Sequence, residues 1–298
     1  EITYGDWSSD VCSSDLITVA QTGVYRLSRA WFSAAGIDVA ALDPRTIRLF
    51  SSGGRELPRD LDAKRPEPLQ EVAIEVVGGD DGRFDENDYV QFFGMGTSGF
   101  DYNPASGLYE HYINRFADEN VFLMTFGGVP GKRIAQQASL SDPQPYTPAW
   151  FNGREFEEEE VTNLMNSGSM WFGKRLISGA GSASSIAYTR RLHGLVRNEP
   201  VVYRVQVVGS SEVTHGFTVR DGERELGSIS LGTVSFASEV DDVAKISGPR
   251  TFSGTGQLPD DRATVTLTYS SSSSDRSRGG YVDWVEWHYA RRFEPLND

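Results

Sequence analysis

Tyr281-Val282-Asp283-Trp284-Val285-Glu286-Trp287-His288-Tyr289 reads as a single long strand with large residues on both of its faces. Successive side chains of a strand point to opposite sides, so this stretch predicts a central strand covered on two sides. Working back from it, short runs rich in Val, Ile, Thr, Tyr and Phe recur between turn signals. They are Ile186 to Leu195, Val201 to Val208, Thr214 to Arg220, Arg224 to Leu231, Arg250 to Ser253 and Ala263 to Tyr269. Asp221-Gly222 is a tight hairpin signal. About seven or eight antiparallel strands in roughly 110 residues are the pattern of a β-sandwich or jelly roll. The polar run Ser270 to Arg278 reads as a surface loop.

The Pro-spaced connector Pro143-Gln144-Pro145-Tyr146-Thr147-Pro148 separates this region from the first half. The expected organisation is therefore mainly β with two β-rich domains, residues 17–145 and 146–298, the second a jelly-roll-like sandwich. In the first, Ile17-Thr18-Val19 and Gly23-Val24-Tyr25-Arg26-Leu27 read as strands. Ser28 is placed to cap one short helix through Ala35, with Trp31 and Phe32 turned inward and Gly36 ending it. Asp43-Pro44 marks a turn before a strand over Thr46 to Phe50; Leu69 to Val77 and Tyr89 to Phe93 read as further strands. Asn120 to Phe126, apolar on both faces, reads as a central one.

Between two of these strands lies Gly79-Asp80-Asp81-Gly82-Arg83-Phe84-Asp85-Glu86-Asn87-Asp88. Set against an EF-hand loop, Asp81, Gly82, Asp85 and Asp88 fall on the fifth, sixth, ninth and twelfth positions, while the first and third, Val77 and Gly79, offer no carboxylate. Two readings follow. Asp81, Asp85 and Asp88 form a weak calcium site completed by backbone carbonyls, or they bond backbone amides in an acidic hairpin loop.

At the junction of the halves, Glu155-Phe156-Glu157-Glu158-Glu159-Glu160 sets four carboxylates in a row. These repel one another unless solvated or neutralised by a cation or a basic neighbour. The run reads as a charged linker leading through the turn Ser167-Gly168 to Trp171-Phe172, an aromatic pair expected to be buried.

The 298 residues carry a net charge of -14, which argues against nucleic acid as a partner, since phosphate binding needs clustered Lys and Arg. No run of eighteen apolar residues is present to span a bilayer. Cys12 is the single cysteine, so no intrachain disulfide forms. Residues 1–16, and Ser8 to Leu16 above all, resemble translated sequencing-adapter read-through and have no signal-peptide layout. They are set outside the expected fold.

Catalytic motifs are missing from the sequence. It contains no Gly-x-Ser-x-Gly, no His-Glu-x-x-His and no phosphate-cradling Gly loop, and His111, His193, His215 and His288 are scattered singly. The order of short motifs nevertheless resembles a known family. Gly23-Val24-Tyr25-Arg26-Leu27, Gly36-Ile37-Asp38, Ile47-Arg48-Leu49-Phe50, Gly82-Arg83-Phe84-Asp85 with Asp88, Asn120-Val121-Phe122-Leu123, Ser167-Gly168 with Trp171-Phe172-Gly173, and Val282-Asp283-Trp284-Val285-Glu286 carry it. Together they are similar to the non-catalytic N-terminal region of type IX secretion system sortases, which are gingipain-type cysteine peptidases. Ser169 and Lys174 stand where members commonly have Arg and Glu.

The resemblance implies that the intact protein continues past Asp298 into a caspase-like peptidase domain. It also implies a place on the outer-membrane surface, with partners in the secretion and attachment complex and secreted cargo that loses its sorting domain and gains a lipopolysaccharide anchor. No catalytic residue maps onto this chain. A free-standing carbohydrate-binding sandwich and a structural surface protein are the alternative readings.

Overall fold

The computed structural model describes residues 4–5, 14–65, 69–139, 146–164, 170–178, 184–235, 243–272 and 278–295. Cys12, Pro143 to Pro145, Ser167-Gly168 and most of Ser270 to Arg278 lie outside these residues. The chain forms two compact units, Glu1–Ser141 and Asp142–Asp298. It is mainly β, with one α-helix among the described residues.

The first unit contains β1 (Tyr4–Gly5), β2 (Ser14–Val19), β3 (Gly23–Ser28), α1 (Arg29–Ala34), β4 (Arg48–Ser51), β5 (Gln70–Val72), β6 (Ile74–Val77), β7 (Tyr89–Gly94), β8 (Gly99–Asn103), β9 (Leu108–Tyr112) and β10 (Asn120–Thr125). One sheet runs β1-β2-β10-β4-β5, a second runs β3-β7-β6, and β8 pairs with β9 as a hairpin. The first two share a core that includes Ile17, Leu49, Phe92, Phe122 and Met124, sealed by Phe32 of the helix. Ser28 caps that helix by accepting the Trp31 N–H at 3.3 Å, and Gly36 follows at φ 81°, the left-handed stop that Gly supplies without strain.

Three expectations need amendment here. The run Leu69 to Val77 is not one strand. It breaks at Ala73, with β5 pairing β4 in one sheet and β6 pairing β7 in the other. Ile74 N–H donates to Lys132 O at 3.2 Å and Ile74 O accepts from Ile134 N–H at 3.0 Å, so a passing segment takes the backbone groups that would have continued the ladder. β10 is central, as expected, but only one of its faces is fully covered, because Val121 is exposed. Finally, β2 reaches back to Ser14, pairing Leu16 with Leu123 and Asp15 with Met124. Ladder hydrogen bonds use main-chain groups common to all residues, so pairing across Ser14 to Leu16 places little demand on their identity.

The second unit contains β11 (Phe151–Glu158), β12 (Ser184–Arg191), β13 (Val201–Ser210), β14 (His215–Asp221), β15 (Arg224–Leu231), β16 (Lys245–Ile246), β17 (Arg250–Gly254), β18 (Arg262–Ser271) and β19 (Gly279–Arg291). One sheet is β11-β19-β13, with β16 and β17 both on the far side of β13; the other is β12-β18-β14-β15. Leaving aside the two-residue β16, the first sheet holds the first, last, third and sixth strands, and the second holds the second, seventh, fourth and fifth. That is the strand order of a jelly roll. Tyr203, Val205, Val285 and Trp287 of one sheet meet Phe217, Val219, Leu267 and Tyr269 of the other in its core.

The acidic run is where the sequence misled most. Phe151–Glu158 is no linker but a strand, antiparallel to β19 over its full length. Its charge is accommodated because it forms one edge of the sandwich, where Arg190 of β12 donates to the Glu157 carboxylate and to Phe156 O. The aromatic pair also divides: Phe172 is buried against Val208 and Tyr281, whereas Trp171 is 37% exposed.

Trp287 is the largest fully buried side chain. Replacing it with Ala should lower the unfolding free energy by about 3–5 kcal/mol, read from urea denaturation of the second unit's transition, and Trp171→Ala should cost far less.

Candidate functional site

Buried charge concentrates on the outer face of the β19–β13 pair. In β13, Tyr203 and Val205 point into the core, so Arg204 and Gln206 point out; in β19, Val285 and Trp287 point in, so Trp284, Glu286 and His288 point out. The register sets Arg204 opposite Glu286 and Val202 opposite His288. Arg204 Nη1 donates to Glu286 Oε2 at 2.5 Å, His288 Nε2 lies 3.1 Å from the same oxygen, and all three side chains are almost fully buried. A β-bulge at Gln206/Val207 adds one residue to β19 and turns Asp283 to where Gln206 Nε2 donates to its Oδ2 at 2.5 Å. The bulge also reverses the alternation: Tyr281 packs with Phe172 and Val208 in a cluster separate from the Trp287 core, although the two stand an even number of positions apart.

This arrangement fixes charge in place. A carboxylate held between a guanidinium and an imidazole orients its neighbours.

The acidic loop is built differently. Gly79–Asp81 forms a 3-10 turn between Gly78 and Gly82, both left-handed. Asp81 Oδ1 accepts the Arg83 N–H at 2.9 Å, and Asp88 Oδ2 accepts the Asp85 N–H at 2.7 Å. Asp88 is buried against Gly78, where any Cβ would collide with its carboxylate, and the Arg45 guanidinium lies against Gly82. Asp85 and Asp88 are thus brought together while Asp81 closes its own turn. Among the described residues no three His, Cys, Asp or Glu side chains converge as a metal cradle. For Asp81 and Asp88 the geometry is that of aspartates bonding backbone amides.

No protein-family model matches the sequence, and no curated protein matches it. Among solved structures, dimeric latent PorU from Porphyromonas gingivalis superposes at a TM-score of 0.71 and 16% identity, covering 95% of this chain and 24% of that one. The fold is PorU-like. The chain spans about a quarter of the PorU chain it matches. Weaker likenesses are a glycoside hydrolase family 86 β-porphyranase from Bacteroides plebeius (TM-score 0.27, 10% identity, 99% of this chain and 37% of that one) and the insecticidal delta-endotoxin Cry8Ea1 from Bacillus thuringiensis (TM-score 0.32, 10% identity, 84% and 42%).

Within this PorU-like fold, the buried trio went unremarked in the sequence although one signal was present. Trp284, Glu286 and His288 recur with period two, and an acid and an imidazole on one face of a long strand call for a partner on the neighbouring strand. Arg204, eighty-two positions away from Glu286, is that partner, and only the pairing of β13 with β19 identifies it.

Two outcomes follow from these charges. Glu286→Ala should lower the unfolding free energy by about 3–5 kcal/mol, because Arg204 loses a buried counter-charge; the same change at Glu225, whose pairing with Arg220 is solvent-exposed, should have a much smaller effect. Burial raises the Glu155 carboxyl above its ordinary range, against the pull of Arg190, His193 and Arg291. The folded state therefore holds this proton more tightly than the unfolded chain, a stabilisation present at acid pH and lost as pH rises through the raised folded value. Glu155→Gln should melt above the parent at neutral pH, with the difference closing as pH falls through the carboxylate range.

Proposed function

We propose that the chain is the non-catalytic N-terminal scaffold of a type IX secretion system sortase, a cell-surface cysteine peptidase that removes sorting domains from secreted cargo and attaches the cargo to lipopolysaccharide. The observation that carries this reading is the match to PorU, which covers 95% of this chain. The ordered motifs from Gly23 to Glu286 support it independently of the fold. In this role the two units present a peptidase domain that follows them and offer surfaces to outer-membrane components of the complex and to cargo. No helix among the described residues is long and apolar enough to cross a membrane. For the carbohydrate-binding alternative, Tyr203, Tyr269 and Trp287 are core and offer no stacking platform, whereas Trp150, Trp171 and Phe293 are exposed.

Two measurements test the proposal. The coding sequence downstream of Asp298 should encode a peptidase domain with a Cys–His pair; a stop codon directly after it would overturn the reading. A protein extended through that domain should cleave a cargo sorting domain in a thiol-dependent manner, whereas the 298-residue chain should leave the same substrate intact. Turnover by the short chain alone would contradict the scaffold role.

A further inference from the structure

At one end of the jelly roll, where β12 and β19 finish, lies a cavity of about 380 Å³ lined by Arg191, His193, Asp261, Arg291, Arg292 and Glu294. Its walls are tied by main-chain bonds, with Arg292 N–H donating to Gly194 O at 2.8 Å and Val196 N–H to Ala290 O at 2.9 Å. Both carboxylates are already engaged. Arg292 Nε donates to Glu294 Oε1 at 2.6 Å, and Arg197 Nε donates to Asp261 Oδ1 at 2.9 Å. Arg191 and Arg291 remain; neither is within ion-pair distance of a carboxylate among the described residues, although Arg291 pulls on the Glu155 carboxyl.

Three observations make this positive charge more than surface decoration. Arg291 Nε is buried with no hydrogen-bond partner, and an unsatisfied buried donor on a charged group is costly. Arg191 sits directly opposite Arg262 in the β12–β18 ladder, and like charges in register repel. The surrounding chain is strongly acidic, with a net charge of -14, so cations left over in one cavity are not a by-product of composition. The Phe151 ring, 5.3 Å from the Arg291 guanidinium and 5.1 Å from the ring of Phe293, restricts where that guanidinium can move.

We propose that this cavity binds a tetrahedral oxyanion of the phosphate or sulfate type, with Arg191 and Arg291 as its cationic ligands and His193 at its rim. Planar guanidinium forks match the oxygen spacing of such a group, and its charge offsets the Arg191–Arg262 repulsion. The source is either the free ion or the same group at the end of a larger molecule. The site is independent of the sortase reading, because it rests on side chains of the second unit alone.

The test is a titration of the intact chain with sodium phosphate, followed by amide and arginine Nε–H resonances, with ionic strength held constant by sodium chloride. Saturable shifts confined to residues 191–194 and 291–294 are expected. Affinity should fall at least tenfold in Arg191→Gln and in Arg291→Gln and stay unchanged in Arg220→Gln, whose partner Glu225 lies elsewhere. Arg191 is exposed, so its substitution leaves the fold intact even if that of Arg291 does not. A second arm with glycerol phosphate separates the sources: binding at least tenfold tighter than inorganic phosphate assigns the site to an esterified group, and equal or weaker binding assigns it to the free ion. Shifts no larger than those from chloride, or equal affinity in the Arg191 variant, would overturn the proposal.

Discussion

The strand β19 has to hide both of its faces, and one of them carries charge. Trp287 faces the sandwich core and Glu286, next to it in sequence, faces the other way and is buried as deeply. A buried carboxylate is tolerable only when paired and hydrogen-bonded, and Arg204 and His288 meet that demand. The consequence is positional. A one-residue slip of β19 would send Glu286 into the apolar core and Trp287 out of it, so the ion pair and the tryptophan enforce the same register from opposite sides. With β11 on one flank and β13 on the other, that register propagates across the sheet.

Much of this architecture was legible because alternation survives in the strands that line the cores. β13, β14, β15, β18 and β19 all emerged from their apolar patterning, and Ser28 and Gly36 announced the ends of the helix. The pattern failed where other forces decide. Phe151–Glu158 looks like a linker because acidic residues and Gly153 dilute its apolar content, yet Gly153 is required there: the Tyr289 ring occupies the space a Cβ would need. The break at Ala73 comes from a distant segment competing for backbone hydrogen bonds, which no local pattern encodes. The bulge in β19 reverses its alternation part-way, so faces counted from one end are wrong at the other.

The candidate sites were hidden for a different reason. The trio and the arginine cavity each join residues about a hundred positions apart or nearly so, and their meaning lies in what pairs with what. The acidic loop shows the converse. Its spacing suggested a cation or aspartates bonded to amides, and the carboxylates of Asp81 and Asp88 accept the amides of Arg83 and Asp85. Net charge was similarly a poor guide to local potential, since an acidic chain gathers several guanidinia at one end of its sandwich. A jelly roll serves many unrelated activities, so the proposed sortase scaffold rests on the order of motifs and the extent of the match together.

The division at Ala73 has a mechanical side. Main chain passes from one sheet of the first unit straight into the other with no loop between them, so tension applied to either is handed on without slack. A body stitched in this way resists a pull on one sheet with both.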